Sequence, residues 1–528
     1  MSGPAHLKMH TSATPIRTRH SPWVQLAAAA TSLCAIALLG MVQLPTALHG
    51  DQALYQLGAQ RIAGGAKLYV DFWDGKSPGI YLFHLLAGST FGWGENGLHA
   101  LELIWQLVLA VYIMKSLRPW LRSRWLGPFA AFVVVGGYYA KVDEWHLTQP
   151  AALLMLPIFL VEYFALRSRI ERGRQAYLLF AAGLFGSVGM IFKEECVVLV
   201  VSILAVSTIP GGRANRPWKS KWLKRLGYGL LGLATGVALF SAWCWSQGFL
   251  RNMLWTLFVF PVQAMSYHHF RPVGRLISSL DWFGRTFWLL CIATLGVTVM
   301  KPFRAQQRVA AVNAVWLVAG LATIVIEPFA WWPFDTMLLL PPVGILATIA
   351  LDRAFARIPG QRWQRTLAGA LLASALVLSG LRASQRKARA ASPWLRRIES
   401  SESFRMRESS LHRSASGSSR FLTETTAATG PIYVVGDPNL ARLGGRTQIG
   451  RINGWGWEIL LPSQLKEAAQ SIQSNRPPYI YIESGVGSSL AKDLPAFAEW
   501  LKMEYPHQRV ETFGMWLSRQ EIPALPAR

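Results

Sequence analysis

Apolar residues along this chain gather into runs of roughly 16–25, the length a helix needs to cross a bilayer. They lie near residues 22–48, 96–117, 125–140, 148–166, 176–192, 196–209, 226–247, 283–300, 309–326, 334–351 and 366–381. The pattern therefore predicts about eleven membrane-spanning helices. One more apolar stretch, 78–91, fits either a crossing or a helix lying along the membrane surface. Beyond residue 381 the pattern changes. Residues 382–420 are basic and Ser-rich and read as part of a linker covering 382–428. The remainder alternates in the manner of a small α/β unit, 429–528. It has a buried strand at 431–436, a helix at 462–474, a strand at 479–483, a helix at 494–505 and a strand pair at 510–518.

Charge decides the ambiguous stretch. With the tail 1–21 in the cytoplasm and 78–91 not crossing, the segments 115–124, 167–174, 213–225, 301–308 and 353–365 all face inward, and all are strongly basic. The opposite loops are poor in Lys and Arg and hold Asp51, Asp71, Asp74, Asp143, Glu144, Lys193, Glu194, Glu195, His268, His269 and Glu327. A crossing at 78–91 would invert every later loop, so 78–91 is expected as an interfacial helix. The expected fold class is an α-helical polytopic membrane protein, 22–381, with its first outer loop at 49–95 and an extracytoplasmic C-terminal α/β domain. A bacterial-type plasma membrane with the N-terminus cytoplasmic is the expected location.

Composition agrees. The 528 residues are 52% hydrophobic and 15% charged, where a soluble domain carries about a quarter charged residues. The net charge of +25 does not indicate nucleic acid, because much of the excess sits in the short inward loops. The first apolar stretch is too long for a signal peptide and reads as an uncleaved helix. Cys34, Cys196, Cys244 and Cys291 lie in or beside apolar runs without metal-ligand spacing and read as core residues. The turn at Gly436-Asp-Pro-Asn439 lacks the glycine spacing and lysine of a phosphate loop.

The first outer loop carries the candidate chemistry. Residues 52–62 are amphipathic, with Leu54, Leu57, Gly58 and Ile62 on one face, Gln52, Gln56 and Gln60 on another, and Gly64-Gly65 as the stop. Asp51 opens this helix, where a carboxylate serves as a reactive group, an N-cap, or both. Asp71 and Asp74 follow, then Lys76-Ser77-Pro78.

This loop resembles the first extracytoplasmic loop of the GT-C superfamily of membrane glycosyltransferases, nearest to the protein-O-mannosyltransferase and aminoarabinose-transferase type. The shared pattern is an acid after the first span, a Tyr four residues on, a helix closed by Gly, a Leu-Tyr-x-Asp and a Lys/Pro-Pro turn. Here it is met by Asp51, Tyr55, 59–65, Leu68-Tyr69-Val-Asp71 and Lys76-Ser-Pro78. The usual second acid is Gln52, and the usual first proline is Ser77. Lys193 after a Gly-rich span, Pro341-Pro342, and the tail with its Pro477-Pro478-Tyr-Ile strand also look familial.

The resemblance implies an inverting transfer of a sugar from a polyprenyl-phosphate donor to an extracytoplasmic acceptor, on glycolipid, polysaccharide or protein, with Asp51 as general base. Such a reaction needs a carboxylate to take the acceptor's proton and cations near the departing phosphate. Lys76, Lys193, Arg61 and Arg271 are the candidate cations. Tyr55, Asp71, Asp74, His268 and His269 are candidate substrate contacts. Four have a plainer reading: turns for Asp71 and Asp74, interfacial snorkelling for Lys76, an intra-loop ion pair for Lys193 with Glu194 and Glu195. No cofactor or metal is expected, since an Asp-x-x-Asp pair is weak evidence for a cation site. The alternatives are a transporter or flippase of a lipid-linked precursor, or a non-catalytic envelope-assembly protein. Transporters favour repeats and charged residues within spans, and neither is expected here.

Overall fold

A computed structural model describes residues 22–210, 218–268, 273–327, 331–357, 400–424 and 430–522. The membrane part contains α1 (Pro22–Gln43), α2 (Gly50–Ala63), α3 (Pro78–Phe91), α4 (Glu95–Leu117), α5 (Leu126–Ala131, running through a π turn into Gly137–Lys141), α6 (Pro150–Ile170), α7 (Gln175–Phe192), α8 (Val197–Thr208) and α9 (Trp218–Ser246). It continues with α10 (Leu250–Leu254, running through a π turn into Phe260–His268), α11 (Val273–Thr286), α12 (Trp288–Met300), α13 (Gln307–Ile326) and α14 (Leu340–Arg357, after the 3-10 turn Pro333–Leu339).

Seven described helices are long and apolar enough to cross a bilayer, or eight if the pair α11–α12, bent by 87°, is counted as one broken span. The expected spans at 125–140 and 196–209 are helical but shorter. Helix α8 has 12 residues, a rise of about 18 Å at 1.5 Å per residue. The expected span 366–381 lies outside the described residues. Helix α10 fills a stretch that the apolar pattern left as loop. Helices α6 and α14 form the buried centre, and α1 and α9 lie at the periphery. Close packing of α7 on α9 needs Gly183 and Gly232, where a Cβ would collide with the facing backbone of Gly229 and Phe180.

The two ends of the bundle separate by charge as expected. At one end the Asp352 carboxylate accepts from Arg122 N (2.8 Å), Ser123 N (3.0 Å) and Gln306 Nε2 (2.6 Å). Arg169 there donates to Ile209 O, and Arg308 to Val206 O. The acidic loops gather at the other end. Helix α3 does not cross, because both of its ends sit there: Ser77 Oγ donates to Glu194, and Trp93 O accepts from Gln56 Nε2. One expectation fails. Glu102 and Glu162 are buried within spans, Glu102 accepting from Tyr138 and Glu162 from Asn313.

At the acidic end lies the α/β unit. It contains α15 (Ser401–Glu408), α16 (Ser410–Glu424), β1 (Tyr433–Val435), α17 (Asn439–Leu443), α18 (Pro462–Asn475), β2 (Tyr479–Glu483), α19 (Ser484–Asp493), α20 (Pro495–Glu504), β3 (His507–Glu511) and β4 (Gly514–Ser518). Sheet order is β1-β2-β4-β3, with β1 and β2 parallel and the other pairs antiparallel. Tyr433, Val435 and Ile480 face Leu465 and Ile472 of α18. Val434, Tyr481 and Trp516 pack on Phe421 and Leu422 of α16 from the other side. Residues 401–424, expected as linker, thus form a helical layer of the unit. Its buried residues are His412, Ala415, Ser418, Ser419, Phe421 and Leu422, with Ser and His among the apolar groups, so the stripe reads as polar in sequence.

Candidate active site

Helix α2 begins at Gly50 with His49 as N-cap residue, so Asp51 stands in the first turn and is not the cap. The capping interaction comes from Gln52, whose Oε1 accepts from His49 N at 3.2 Å. Gln52 Nε2 donates to Glu144 O (2.7 Å) and Leu147 O (2.5 Å). The residue that replaces the family's second acid is therefore a structural tie. Asp51 keeps the favourable position of an anion at the positive end of the helix dipole. Its Oδ1 accepts from Trp455 Nε1 at 2.6 Å, a partner 404 residues away in the α/β unit. Among the described residues its other oxygen has no hydrogen-bond partner. Gly50, at φ +47°, is required here, since a Cβ would lie 2.7 Å from the Trp455 ring. Asp437 of the same unit accepts from Gly50 N (3.2 Å) and Asn439 N (2.9 Å).

The loop before α3 is equally constrained. Asp71 is exposed and accepts from Lys67 N at 2.8 Å, a contact that closes the turn. Tyr69 sits at φ +64°, in the left-handed region that costs a non-glycine residue energy, and its hydroxyl donates to Lys76 O at 2.6 Å. Asp74 accepts from Tyr81 OH and from Gly75 N (2.7 Å). Burial pushes the Asp74 carboxyl above its usual range, against the pull of Tyr81 and Lys76. Burial opposes the Lys76 ammonium, but the carboxylates of Asp51, Glu327, Asp74 and Asp335 outweigh it and hold the proton above the usual lysine range. Lys76 Nζ makes no hydrogen bond or ion pair among the described residues, so this cation is solvated by the field of several acids and spent on none of them.

Lys193 differs. It pairs with Glu327 and, at 3.1 Å, with Asp335. The ion pair expected within its own loop is replaced by one to the segment before α14, and the ammonium is committed to two carboxylates rather than held ready for a phosphate. Burial, then Asp335, pushes Glu327 up to about 7. Burial, then Glu194, does the same for Glu195.

Tyr55, one turn beyond Asp51, is fully buried, edge-on to Tyr81 and His84 (5.6 Å each), with no hydrogen-bond partner for its hydroxyl among the described residues. Arg61 lies ten residues along α2 from Asp51 and donates to Gly450 O at 3.0 Å, so it faces the α/β unit and not the acid cluster. His268 Nε2 bonds Leu460 O at 3.0 Å and tethers the end of α10. His269 and Arg271 lie outside the described residues. Among the described residues no three His, Cys, Asp or Glu side chains converge as ligands for an ion.

The structure thus assembles Asp51, Tyr55, Asp74 and Lys76, and sets Asp71, Arg61 and His268 apart. Trp455, Asp335 and Tyr81 were not singled out from the sequence. The signal for Trp455 was the Gly454-Trp-Gly-Trp457 run, out of place in an α/β pattern; Gly456 is left-handed (φ +68°) and Gly454 packs against Val434 O. A carboxylate with a free oxygen beside an uncommitted ammonium, at the mouth of an apolar bundle, suits proton removal next to a departing anion.

The fold is that of the GT-C type. Among solved structures, ArnT from Cupriavidus metallidurans, crystallised bound to undecaprenyl phosphate, is similar with a TM-score of 0.59 and 17% identity, over 96% of this chain and 99% of that one. The arabinofuranosyltransferase AftD from Mycobacteria gives a TM-score of 0.44 and 16% identity, over 88% of this chain and 35% of that one. No protein-family model and no curated protein matches the sequence.

Proposed function

We propose that this chain is an inverting membrane glycosyltransferase that moves a sugar from a polyprenyl-phosphate donor to an acceptor hydroxyl at the acidic end of the bundle. The positive-inside rule makes that end extracytoplasmic. Asp51 takes the hydroxyl proton as the oxygen attacks the anomeric carbon. The bond from that carbon to the phosphate oxygen breaks, and the phosphate leaves with the electron pair, its charge met by Lys76. One-step displacement inverts the anomeric centre.

The observation that carries this reading is an Asp51 carboxylate held through one oxygen by Trp455 in the same acid-rich end as Lys76, whose ammonium makes no hydrogen bond or ion pair among the described residues. Further support comes from the fold shared with ArnT, whose crystal structure holds undecaprenyl phosphate. The test uses membranes carrying Asp51→Asn protein, labelled polyprenyl-phosphate sugar and envelope acceptors. Loss of a positioned general base should slow transfer by about 10²–10⁴-fold. Undiminished transfer by Asp51→Asn refutes the assignment.

A further inference from the structure

The loop between α5 and α6, residues 142–149, is held from several sides by polar groups. Glu102, fully buried in α4, accepts from Thr148 N (3.1 Å) and from Tyr138 OH (2.5 Å), and that hydroxyl lies 3.2 Å from His146 O. Thr148 sits at φ +51°, a left-handed position that costs a non-glycine residue energy, so its buried bond to Glu102 fixes an otherwise disfavoured turn. From α2, Gln52 ties Glu144 O and Leu147 O. Asp143 accepts from Trp145 N at 3.0 Å and lies 2.6 Å from His146 Nδ1. The backbone is thus pinned on both sides of Trp145. Yet Trp145 itself is 38% exposed, and its indole N–H bonds nothing among the described residues. A large aromatic that is fixed in place and open to solvent binds at little cost in conformational entropy.

This indole stands beside the candidate base. A Cβ at Gly50, the residue before Asp51, would lie 3.2 Å from Trp145 Cζ3 and 2.7 Å from Trp455 Cζ2. Two indoles therefore converge over one backbone position, and Trp455 also donates to Asp51. Trp145 rests against the fully buried ring of His49 (centroids 5.6 Å apart), which is itself held 3.0 Å from Ser409 Oγ and 3.3 Å from a Glu144 oxygen. The face of an aromatic ring is electron-rich, and the C–H groups on one side of a sugar ring are its electron-poor complement. The hydroxyls of such a ring stay free for acceptors, and Asp51 has one unbonded oxygen. Residues 142–149 hold two carboxylates and no Lys or Arg, which suits a neutral ring better than an anionic one. We propose that Trp145, with Trp455 across Gly50, forms an aromatic platform that takes a neutral sugar ring of a saccharide acceptor and presents its hydroxyl to Asp51. That the ring belongs to the acceptor rests on the transferase reading above; the stacking itself does not.

The test is saturation-transfer NMR on the purified full-length protein. The probes are neutral gluco-, manno-, galacto- and arabino-oligosaccharides and a Ser/Thr-rich peptide. At least one saccharide should bind, with saturation concentrated on ring C–H protons, and the peptide should not. Trp145→Ala should weaken that saccharide about tenfold or more, and Trp145→Phe, which keeps an aromatic face, by no more than about threefold. Binding of no saccharide, unchanged affinity in Trp145→Ala, or binding of the peptide in preference, which would assign a protein acceptor, overturns the proposal. If Trp145→Ala fails to fold, hydroxyl-radical footprinting of the unsubstituted protein replaces it. Protection of Trp145 from oxidation by the bound saccharide supports the platform, and unchanged oxidation overturns it. In transfer assays Trp145→Phe should raise acceptor KM alone; a rise confined to donor KM overturns the assignment to the acceptor. Because binding is read without transfer, an inactive chain that binds the saccharide through Trp145 refutes only the transferase reading.

Discussion

Gln52→Glu would restore the pair of adjacent acids usual in the resembled family, and the structure says it should harm the protein. Gln52 is 1% exposed and gives two hydrogen bonds to backbone carbonyls, Glu144 O and Leu147 O. A carboxylate there would point its charge at two carbonyl oxygens, so the new side chain must stay protonated. Holding a glutamic acid (unfolded pKa about 4.3) protonated at pH 7 costs about 2.7 × 1.36, or roughly 3.7 kcal/mol. One O–H replaces two N–H donors, and the carbonyl left unpaired adds about 1–3 kcal/mol. The total is roughly 5–7 kcal/mol at pH 7. The sign of the pH dependence follows: the folded variant binds a proton that the unfolded chain releases, so its deficit shrinks as pH falls. Between pH 7 and pH 5 the deficit should drop by about 1.4 kcal/mol per unit. The assay is unfolding of detergent-solubilised protein, variant against parent, at half-unit steps of pH. A variant as stable as the parent at pH 7, or a deficit independent of pH, would refute the assignment of Gln52 as a buried double donor.

Trp455→Phe keeps the ring that covers Gly50 and removes the donor to Asp51, a charge-assisted bond of about 1.5–3 kcal/mol; we expect transfer kcat to fall about tenfold or more with donor KM unchanged, and an unaltered rate would show that the indole does not position the carboxylate. Lys193→Met leaves Glu327 and Asp335 buried without their cation and should cost about 3–5 kcal/mol, measured by thermal unfolding, with partial recovery in Lys193→Met/Glu327→Leu; a single variant as stable as the parent would be the contrary result. Glu327 stands at about 7 against an ordinary 4.5, so the folded protein holds a proton across that window that the unfolded chain has lost, and stability should decline as pH rises from about 4.5 to 7. Glu327→Gln should flatten that slope, and an identical slope in the variant would rule Glu327 out as its source.

Local pattern decided a good deal about this protein. Apolar runs marked most of the spans, and the uneven distribution of Lys and Arg sorted the loops to two ends and kept 78–91 from crossing, because membrane insertion reads length and charge locally. The strands at 433–435 and 479–483 and the helix at 462–475 were legible from their periods. The acid after the first span was legible as a candidate because it stood at the end where the other acids gather. What the sequence could not supply is partnership. Asp51 meets Trp455 across 404 residues, Lys193 turns from its neighbours to Glu327 and Asp335, and Arg61 leaves the acid cluster for the α/β unit. Residues 401–424 became a layer of that unit because Phe421 and Leu422, isolated in a Ser- and Arg-rich stretch, pack against the sheet. Pairings of this kind are chosen by packing many segments at once, where the desolvation of each buried charge must be answered by whichever group the fold brings near, and no local period encodes which one that will be.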